Sequence, residues 1–443
     1  MLKHPFSGLL HTVNEMEKKV EGIYDGFKEL GTGKMMVLGL QHVFAMFGAT
    51  VLVPLLTGLS VSVTLFAAGI ATCWFFFITK RKIPIFLGSS FAFLGAFASV
   101  ANGDPKLLPY ATGGVVCAGL VYVVLAGLFG VFGPKKIMKL FPPVVTGPVI
   151  ILIGLILAPT AVSSASGNWY LAVLAIIVVI CVNLFGKGML KLIPILCGII
   201  CSYVIGCIIT LINPEFLGLT WIDFSSLSNT SILGIPPFFL PKFEVSAIVT
   251  FVVVSIAAIV EHIGDVAAIG ATCGKNFIAD PGLTRTLLGD GVGTSMAGLI
   301  GGPANTTYSE NTGVVALTRV YDPRVMLIAA CLAILLSFVS IFDAFINTIP
   351  WSIIGGISIV LYGMISATGV RTIVENKVDF TNMRNIIIMA LILVCGLGFN
   401  AYPIQIPLGA VILQFGGLAS AAIIGIIVNA ILPGKDYEFK MDV

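Results

Sequence analysis

The amino-acid sequence predicts an all-α polytopic membrane protein whose fourteen transmembrane segments form a 7+7 inverted repeat. Three observations support this prediction. Of the 443 residues, 58% are hydrophobic and 10% are charged, whereas soluble domains have roughly 45–50% and about 25%. The charges leave long uncharged runs, and about 20 apolar residues are enough for a helix to cross a bilayer. Lysine and arginine lie between alternate runs, as they do in cytoplasmic loops.

The same composition argues against several other classes of protein. A formal net charge of +3 is too small to indicate a nucleic-acid partner, and the nine cysteines include no Cys-x-x-Cys pair typical of a zinc site. The sequence also lacks a pair of residues that could act as nucleophile and base, so it gives no indication of an enzyme. We therefore predict no catalytic residues, no metal and no cofactor.

Seven spans are predicted in the first half, and they define a first repeat over residues 35–212. The longest uncharged runs contain clusters of turn-forming residues at 57–62 and 160–168, so each of these runs accounts for two spans. The uncharged runs of this half are 35–79, 83–103, 107–134, 140–186 and 192–214.

Seven more spans are predicted in a second repeat over residues 244–434. A polar, proline-bearing stretch, 213–243, separates the repeats and is predicted to be an extracytoplasmic loop. The segment 286–318 holds two spans with a break near 301–303, and the run 385–434 holds two with a break at 398–407. Single spans come from 244–271, 325–342 and 344–370.

The distribution of basic residues supports this count. With the N-terminus inside, every lysine and arginine except Lys106 and Lys242 falls on the cytoplasmic side. The N-terminal segment 1–34 and the tail 435–443 are therefore predicted to be cytoplasmic, in a multi-pass protein of the cell membrane.

The N-terminal segment 1–34 carries apolar residues at alternating spacings of four and three, which indicate an amphipathic helix. We expect this helix to lie on the membrane or on the protein's own cytoplasmic face. The apolar positions are Leu9, Val13, Met16, Val20, Ile23, Phe27 and Leu30.

An odd number of spans per repeat forces the second half into the opposite orientation, so span 1 corresponds to span 8 and span 3 to span 10. Polar residues concentrate in these spans. The mostly polar stretch 305–313 cannot face lipid as a helix, and irregular backbone at membrane depth must line a cavity. Spans 3 and 10 are therefore predicted to be extended first and helical afterwards, with backbone N–H groups directed at a central site.

Three carboxylates lie within predicted spans, where an ionisable group is costly and indicates function. Glu261 and Asp265 are four residues apart and share a helix face in span 8, while Glu310 lies in span 10. The alternative is that they only form hydrogen bonds between packed helices. Three acids on two corresponding spans favour a site.

Five other residues could each have either a structural role or a role in the site. We predict that His262 packs rather than carries a proton, and that Gln41 and His42 form hydrogen bonds with the irregular backbone of spans 3 or 10 rather than with substrate. Asp290 is either an interfacial charge or part of the site. Phe91 lies in an interrupted span, so we expect it to stack on a ligand rather than fill the core.

These groups suit a small planar ring with alternating N–H and C=O groups. Carboxylates accept from ring N–H groups, and backbone N–H groups donate to ring carbonyls. An inorganic anion would require arginine or lysine, and the predicted spans contain neither. A neutral solute also leaves the carboxylates free to carry a driving proton.

The sequence closely resembles the nucleobase–ascorbate transporter family, also called nucleobase–cation symporter 2, and in particular its bacterial uracil permeases. Residues 310–319 read Glu-Asn-Thr-Gly-Val-Val-Ala-Leu-Thr-Arg and match the family signature of Gln, Glu or Pro, then Asn, any residue, Gly, four of any kind, Thr, and Arg, Lys or Gly. The resemblance covers nearly the whole chain from about residue 35. Further matching stretches are 41–50, 87–93, 261–264 and 303–308.

The resemblance implies a core domain of spans 1–4 and 8–11, a gate domain of spans 5–7 and 12–14, short antiparallel strands in spans 3 and 10, and a homodimer. It also implies that Glu261 and Glu310 supply carboxylates to the base, and that Phe91 and Ser309 supply backbone groups. Asn311 belongs to the signature and is assigned a supporting role, together with Gln41, His42 and Asp290.

Two positions depart from the pattern of uracil permeases. Asp265 stands where the most similar members have a histidine thought to couple proton movement to the adjacent glutamate, and Asp290 resembles an acid of xanthine permeases. Glu310, in contrast, is typical of uracil members, since purine members usually carry glutamine there. We therefore expect a proton-coupled uracil symporter that imports by alternating access, with Glu261 and Asp265 coupling the proton.

Two alternatives remain open. The first is a xanthine- or uric-acid-type purine permease of the same family. The second is an anion transporter of related fold, which the acids in the expected site argue against.

Overall fold

The computed structural model describes residues 21–101, 103–132, 142–213, 217, 221–224, 231–408 and 411–434. Most of the predicted N-terminal helix, much of the loop 213–243 and the tail 435–443 therefore lie outside the described residues.

The first half consists of helices with one short strand. Gly58, with φ of +80°, ends the first helix, and the side chain of Ser60 caps the second, so the break coincides with the predicted turn at 57–62. The elements are α1 Gly31–Thr57, α2 Val61–Ile78, β1 Leu87–Ser89, α3 Leu94–Ala101, α4 Leu108–Phe132, α5 Pro143–Ala165, α6 Trp169–Phe185 and α7 Pro194–Ile212, with 3-10 turns at Phe91–Phe93, Pro105–Leu107 and Gly188–Leu192.

The second half has a similar order of elements, with an additional short helix and a hairpin near its end. The elements are α8 Val245–Cys273, α9 Leu283–Leu299, β2 Asn305–Thr307, α10 Ser309–Thr318, α11 Arg324–Ser337, a short helix Ser340–Ile346, α12 Trp351–Glu375, α13 Met383–Ala401, β3 Ile404–Leu408, β4 Val411–Phe415 and α14 Gly417–Ile431.

Many of these helices can span a membrane. Within the described ranges, eight are long and apolar enough to cross a bilayer. The number becomes nine if α11 and Ser340–Ile346, which meet at 85°, form one broken span. The protein is therefore a mostly helical, multi-pass membrane protein.

The short antiparallel strands that the family resemblance implies are present. β1 and β2 pair with Leu87 opposite Thr307 and Ser89 opposite Asn305. The pairing extends by one hydrogen bond, from Ser90 N–H to the carbonyl of Ala304 at 2.8 Å. A helical segment follows each strand, so both interrupted elements are extended first and helical afterwards.

A threonine side chain completes the hydrogen bonding of each strand. Thr72 of α2 donates to the carbonyl of Leu87 at 3.1 Å and accepts from its N–H at 2.9 Å. Thr294 of α9 makes the same two bonds to Asn305, at 3.2 and 3.3 Å. Leu87 and Asn305 occupy equivalent positions under the rotation that exchanges the strands. The threonines therefore extend the local twofold relation from the strands to α2 and α9.

Glycines allow the helices to pack closely, as is common in membranes. A Cβ at Gly119 of α4 would overlap the carbonyl of Gly291 in α9, and one at Gly69 of α2 would overlap that of Ala330 in α11. Gly154 of α5 lies equally close to the backbone of α12. The most extensive helix contacts fall within two groups, α1–α4 with α8–α11, and α5–α7 with α12–α14.

The predicted helix through Ile23, Phe27 and Leu30 is wrong for the described part of the N-terminal segment, because only Gly26–Glu29 forms a helical turn there. Ile23 instead pairs with the chain that follows α10: its N–H donates to the carbonyl of Arg319 at 2.8 Å. The backbone hydrogen bonds that a helix would use are thus made to another segment.

An ion pair holds the same segment against the start of α11. Arg324 bonds Asp25 at 2.5 Å, and the N–H of Gly26 donates to the buried carboxylate of Asp322 at 2.8 Å. The Arg324 guanidinium holds the pKa of the exposed Asp25 carboxyl below its ordinary value. The segment therefore docks on the connection between α10 and α11.

The all-α prediction also failed between α13 and α14, where β3 and β4 form an antiparallel hairpin with Ile404 opposite Phe415 and Leu408 opposite Val411. The sequence predicts only a break between two spans there, at 398–407. The run 385–434 carries no charge, so the charge pattern gave no signal for the strands.

Candidate functional site

The two strand-to-helix junctions form the centre of the candidate site. Phe91 begins the 3-10 turn after β1, and Ser309 begins α10 after β2. The residue before each helical segment makes no side-chain cap to it. The first N–H groups of a helix have no partner within the helix, so these groups are available to a ligand.

Tyr308 fixes the junctions to α1. Its hydroxyl donates to the carbonyl of Ser89 at 2.9 Å, lies 3.1 Å from the Ser89 hydroxyl, and accepts from Thr50 of α1 at 3.2 Å. A Cβ at Gly88 would overlap the Tyr308 ring, so only glycine fits there. Tyr308 thus links the strand pair to α1 by hydrogen bonds.

The three predicted carboxylates differ in exposure and in their hydrogen-bond partners. Asp265 accepts hydrogen bonds from the hydroxyls of Thr307 at 2.5 Å and Ser309 at 2.8 Å, so it supports the junction after β2. Glu261 lies near the middle of α8 yet is exposed, and Glu310 is half-buried. The Glu310 carboxylate accepts from its own backbone N–H, and neither glutamate side chain accepts a hydrogen bond from another described residue. These two carboxylates are therefore free to bind a ligand.

Glu261 lies one helical turn before Asp265 on α8, and Asp265 accepts from Ser309, the residue before Glu310 in α10. The two helices that carry the sequence-predicted acids are thus brought together by the fold. Carboxylates gathered in this way favour a ligand that supplies hydrogen-bond donors.

A cavity of about 300 Å³ lies beside the junction after β2. Ser309 and Glu310 line it, whereas Phe91, Glu261 and Asp265 are not among its lining residues. Its walls come from α1 and α10 on one side and from α6, α7 and α12 on the other. The other lining residues are Phe44, Ala45, Gly48, Ala49, Asn183, Lys191, Leu192, Ile193, Pro194, Ile195, Leu196, Leu361 and Met364.

Asp290 is fully buried, so the reading of an interfacial charge is wrong. Its carboxylate bonds Nδ1 of His262 at 2.8 Å, and both side chains are inaccessible to solvent. His262 is thus buried and bonded to Asp290 through one ring nitrogen, and its packing role remains a prediction. The sequence does not predict the His262–Asp290 pair, although an acid in span 9 and a histidine in span 8 are the two residues that could have indicated it.

The prediction for Gln41 and His42 was wrong, because neither bonds the irregular backbone. Asn311 Nδ2 donates to the carbonyl of His42 at 3.1 Å and lies 3.1 Å from His42 Nδ1. Gln41 donates to the sulfur of Met189 at 2.8 Å. The strand backbone is already bonded by its partner strand and by Thr72 and Thr294, so it has no need of these side chains.

Lys191 and Asn183 line the cavity but were missed as site residues. In the sequence, Lys191 indicates only the cytoplasmic side of the membrane. Nothing in the residue pattern indicated that the connection between α6 and α7 reaches the site.

The described residues contain no group of three or more histidine, cysteine or acidic side chains placed to hold a metal ion. The site is instead an arrangement of carboxylates, uncapped helix N-termini and a half-buried aromatic ring.

The family model Xan_ur_permease, described as "Permease family", matches residues 33–405. The chain belongs to the nucleobase–ascorbate transporter family. Curated relatives cover most of the chain. A protein of Pasteurella multocida named "Probable uracil permease" is 40% identical over 415 residues, 91% of this chain and 95% of its own length. The "Uracil permease" of Bacillus caldolyticus is 39% identical over 419 residues, 91% of this chain and 93% of its own.

Solved structures of low sequence identity share the fold of this nucleobase–ascorbate transporter. The transmembrane domain of the cyanobacterial bicarbonate transporter BicA aligns with a TM-score of 0.63 at 16% identity, covering 92% of this chain and 98% of that one. Murine Slc26a9, described as an anion transporter in the inward-facing state, aligns with a TM-score of 0.66 at 10% identity, covering 97% and 72%. At these identities the likeness concerns the fold alone.

Proposed function

We propose that the protein is a proton-coupled uracil symporter that imports its substrate by alternating access. The observation that carries the proposal is the pair of glutamates beside the uncapped junctions, Glu261 and Glu310, whose carboxylates accept no hydrogen bond from another described residue. The relatives named uracil permeases support the choice of substrate.

The chemistry of uracil suits these groups. Glu261 and Glu310 accept from the two ring N–H groups, and the N–H groups at Phe91 and Ser309 donate to the ring carbonyls. The aromatic ring of Phe91 stacks on the base. Uracil is neutral, so it brings no charge of its own to balance the acids.

The coupling proton resides on Glu261 and Asp265. The two acids share a face of α8, and two carboxylates this close favour a single shared proton. Asp265 also bonds Ser309, so a change in its protonation reaches the residue that begins α10. The proton and the substrate therefore both bind groups that contact Ser309, at the junction between β2 and α10.

The topology that we propose has fourteen spans in two inverted repeats of seven, 35–212 and 244–434. Its support is the matched order of α1–α7 and α8–α14 and the local twofold relation of Thr72 and Thr294. The two packing groups correspond to a core domain and a gate domain, whose relative movement opens the site to alternate sides.

We place the protein in the cell membrane with both termini cytoplasmic and the loop 213–243 outside, and we infer a homodimer as the working assembly. The relatives are named permeases, in agreement with transport rather than catalysis.

A labelling experiment tests this topology. Ile235 and Arg371 are both exposed, and the topology places them on opposite sides of the membrane. In intact cells, a membrane-impermeant thiol reagent should label an Ile235→Cys variant but not an Arg371→Cys variant, with the unmodified chain as the control for its native cysteines. Labelling of the Arg371→Cys variant from outside would contradict the proposed span count.

An oxopurine such as xanthine is the second candidate substrate, because Asp265 and Asp290 stand where purine-transporting relatives have acids. The structure gives both residues hydrogen-bond partners within the protein: Asp265 supports the junction, and Asp290 bonds His262. Glu310 lines the cavity itself. We therefore weigh Glu310, which favours uracil, more heavily.

Binding isotherms on purified protein test the choice of substrate. Mismatching one buried polar contact costs about 1–3 kcal/mol. We therefore expect uracil to bind at least about tenfold more tightly than xanthine. We also expect Glu310→Gln to narrow that gap while lowering uracil affinity, because an amide can both donate and accept. Tighter binding of xanthine by the unmodified chain would show that the purine alternative is correct.

A further inference from the structure

The connection between α6 and α7 contacts α1 and α10, the helices that line the candidate site, at one point each. Its 3-10 turn, Gly188–Leu192, contributes Met189, whose sulfur accepts from Gln41 of α1 at 2.8 Å. At the second point, a Cβ at Gly313 of α10 would lie 2.8 Å from a methyl carbon of Leu192. The turn belongs by sequence to the gate-domain half of the site, yet it rests on α1 and α10 of the core domain.

Lys191 lies between these two contact points in sequence and lines the cavity together with Ser309 and Glu310. Its side chain is exposed. Within the described ranges it makes no ion pair with any acid. The cavity is thus lined by a lysine and a glutamate, and neither forms an ion pair with another described residue.

A lysine side chain is a point charge on a flexible four-carbon stem, so it can cross a small cavity. Attraction between opposite charges is stronger in a partly enclosed cavity than in bulk water. An ammonium bound to Glu310 would occupy the acceptor that a ring N–H of the substrate needs.

We propose that Lys191 is a positioning residue that reaches across the cavity to Glu310 during release of the nucleobase and competes with the base for that carboxylate. The proposal rests on the function proposed above for Glu310. Lys191 shifts to Glu310 as the base leaves, which lowers the affinity of the site and speeds release on the side where the Gly188–Leu192 turn lies.

Transport and binding measurements on Lys191→Met test the competition. Exposed or partly exposed ion pairs contribute up to about 1 kcal/mol, so uracil should bind about twofold to fivefold more tightly. Because release becomes slower, KM and the maximal rate of uptake should fall together. Lys191→Arg should restore both values. The matched control is Lys187→Met, since Lys187 is exposed in the same connection but does not line the cavity. Equal KM and maximal rate in Lys191→Met and Lys187→Met would overturn the proposal.

A second measurement needs no substrate and so separates this proposal from the proposed function. In substrate-free protein, the melting temperatures of Lys191→Met, Glu310→Gln and the double variant form a double-mutant cycle. If the pair exists, the double variant should lose less than the sum of the two single losses. Additive losses would overturn the pairing even if uracil binds. A non-additive cycle in protein that binds no uracil would leave the pair intact and reject the proposed function.

Discussion

Glu261→Gln and Glu310→Gln are each expected to lower the affinity for uracil by about tenfold to a hundredfold. A hydrogen bond to a charged group contributes about 1.5–3 kcal/mol, and an amide can present its NH₂ group to a ring N–H, so that two donors face each other. Neither carboxylate is engaged by another described residue, so the loss should fall on ligand binding more than on folding. Isothermal titration or scintillation proximity with purified protein measures the affinity.

Glu375→Gln is the matched control for these variants. Glu375 is an exposed glutamate at the end of α12 that bonds Arg371 four residues earlier at 2.6 Å, and it does not line the cavity. Its replacement should leave uracil affinity unchanged. Near-normal uracil binding by both Glu261→Gln and Glu310→Gln would remove the two glutamates from the site.

Asp265→Asn is expected to abolish accumulation of uracil against its gradient while changing uracil affinity by less than about threefold. Asparagine can accept from one of the hydroxyls of Thr307 and Ser309, and the other hydroxyl can rotate to accept from the amide. The junction should therefore keep its shape. The amide cannot take up a proton, so the pair with Glu261 loses its shared site.

Proteoliposomes with an imposed pH gradient measure this coupling. The variant should equilibrate uracil across the membrane but not concentrate it, while equilibrium binding remains close to that of the unmodified protein. Unchanged accumulation would assign coupling elsewhere, and Glu261 itself would be the next candidate.

The sequence was most informative where a pattern has a single physical explanation. A run of polar residues at membrane depth cannot be a lipid-facing helix, so the extended form of 305–307 followed from its composition. Acids inside apolar spans marked Glu261, Asp265 and Glu310 as the residues to examine. Their placement near the strand junctions depends on how α8 packs against β2 and α10, where Asp265 bonds Thr307 and Ser309.

The sequence was least informative where the partner of a side chain is set by tertiary packing. Gln41 and His42 were polar residues in need of partners, but the choice of Met189 and Asn311 depends on how α6, α7 and α10 meet α1. The strand pair does not bond Gln41 or His42, because Thr72 and Thr294 already form hydrogen bonds with the backbone N–H and C=O groups at its outer edges.

Local segments also escaped prediction when their pattern was ambiguous. The apolar spacing around Ile23 fits a helix, yet the backbone there pairs with the chain after α10. Gly22 fits beneath the Tyr321 ring only because it has no side chain. Lys191 was read as a topological marker, and its position on the cavity wall depends on the 3-10 turn between α6 and α7.

Uptake of labelled uracil into proteoliposomes with an acidic exterior tests the central claim most directly. We predict accumulation above equilibrium that collapses when the pH gradient is dissipated. Unlabelled uracil should compete strongly, xanthine and uric acid weakly, and chloride or bicarbonate not at all. Transport of chloride or bicarbonate without uptake of uracil would contradict the assignment and identify an anion transporter of related fold.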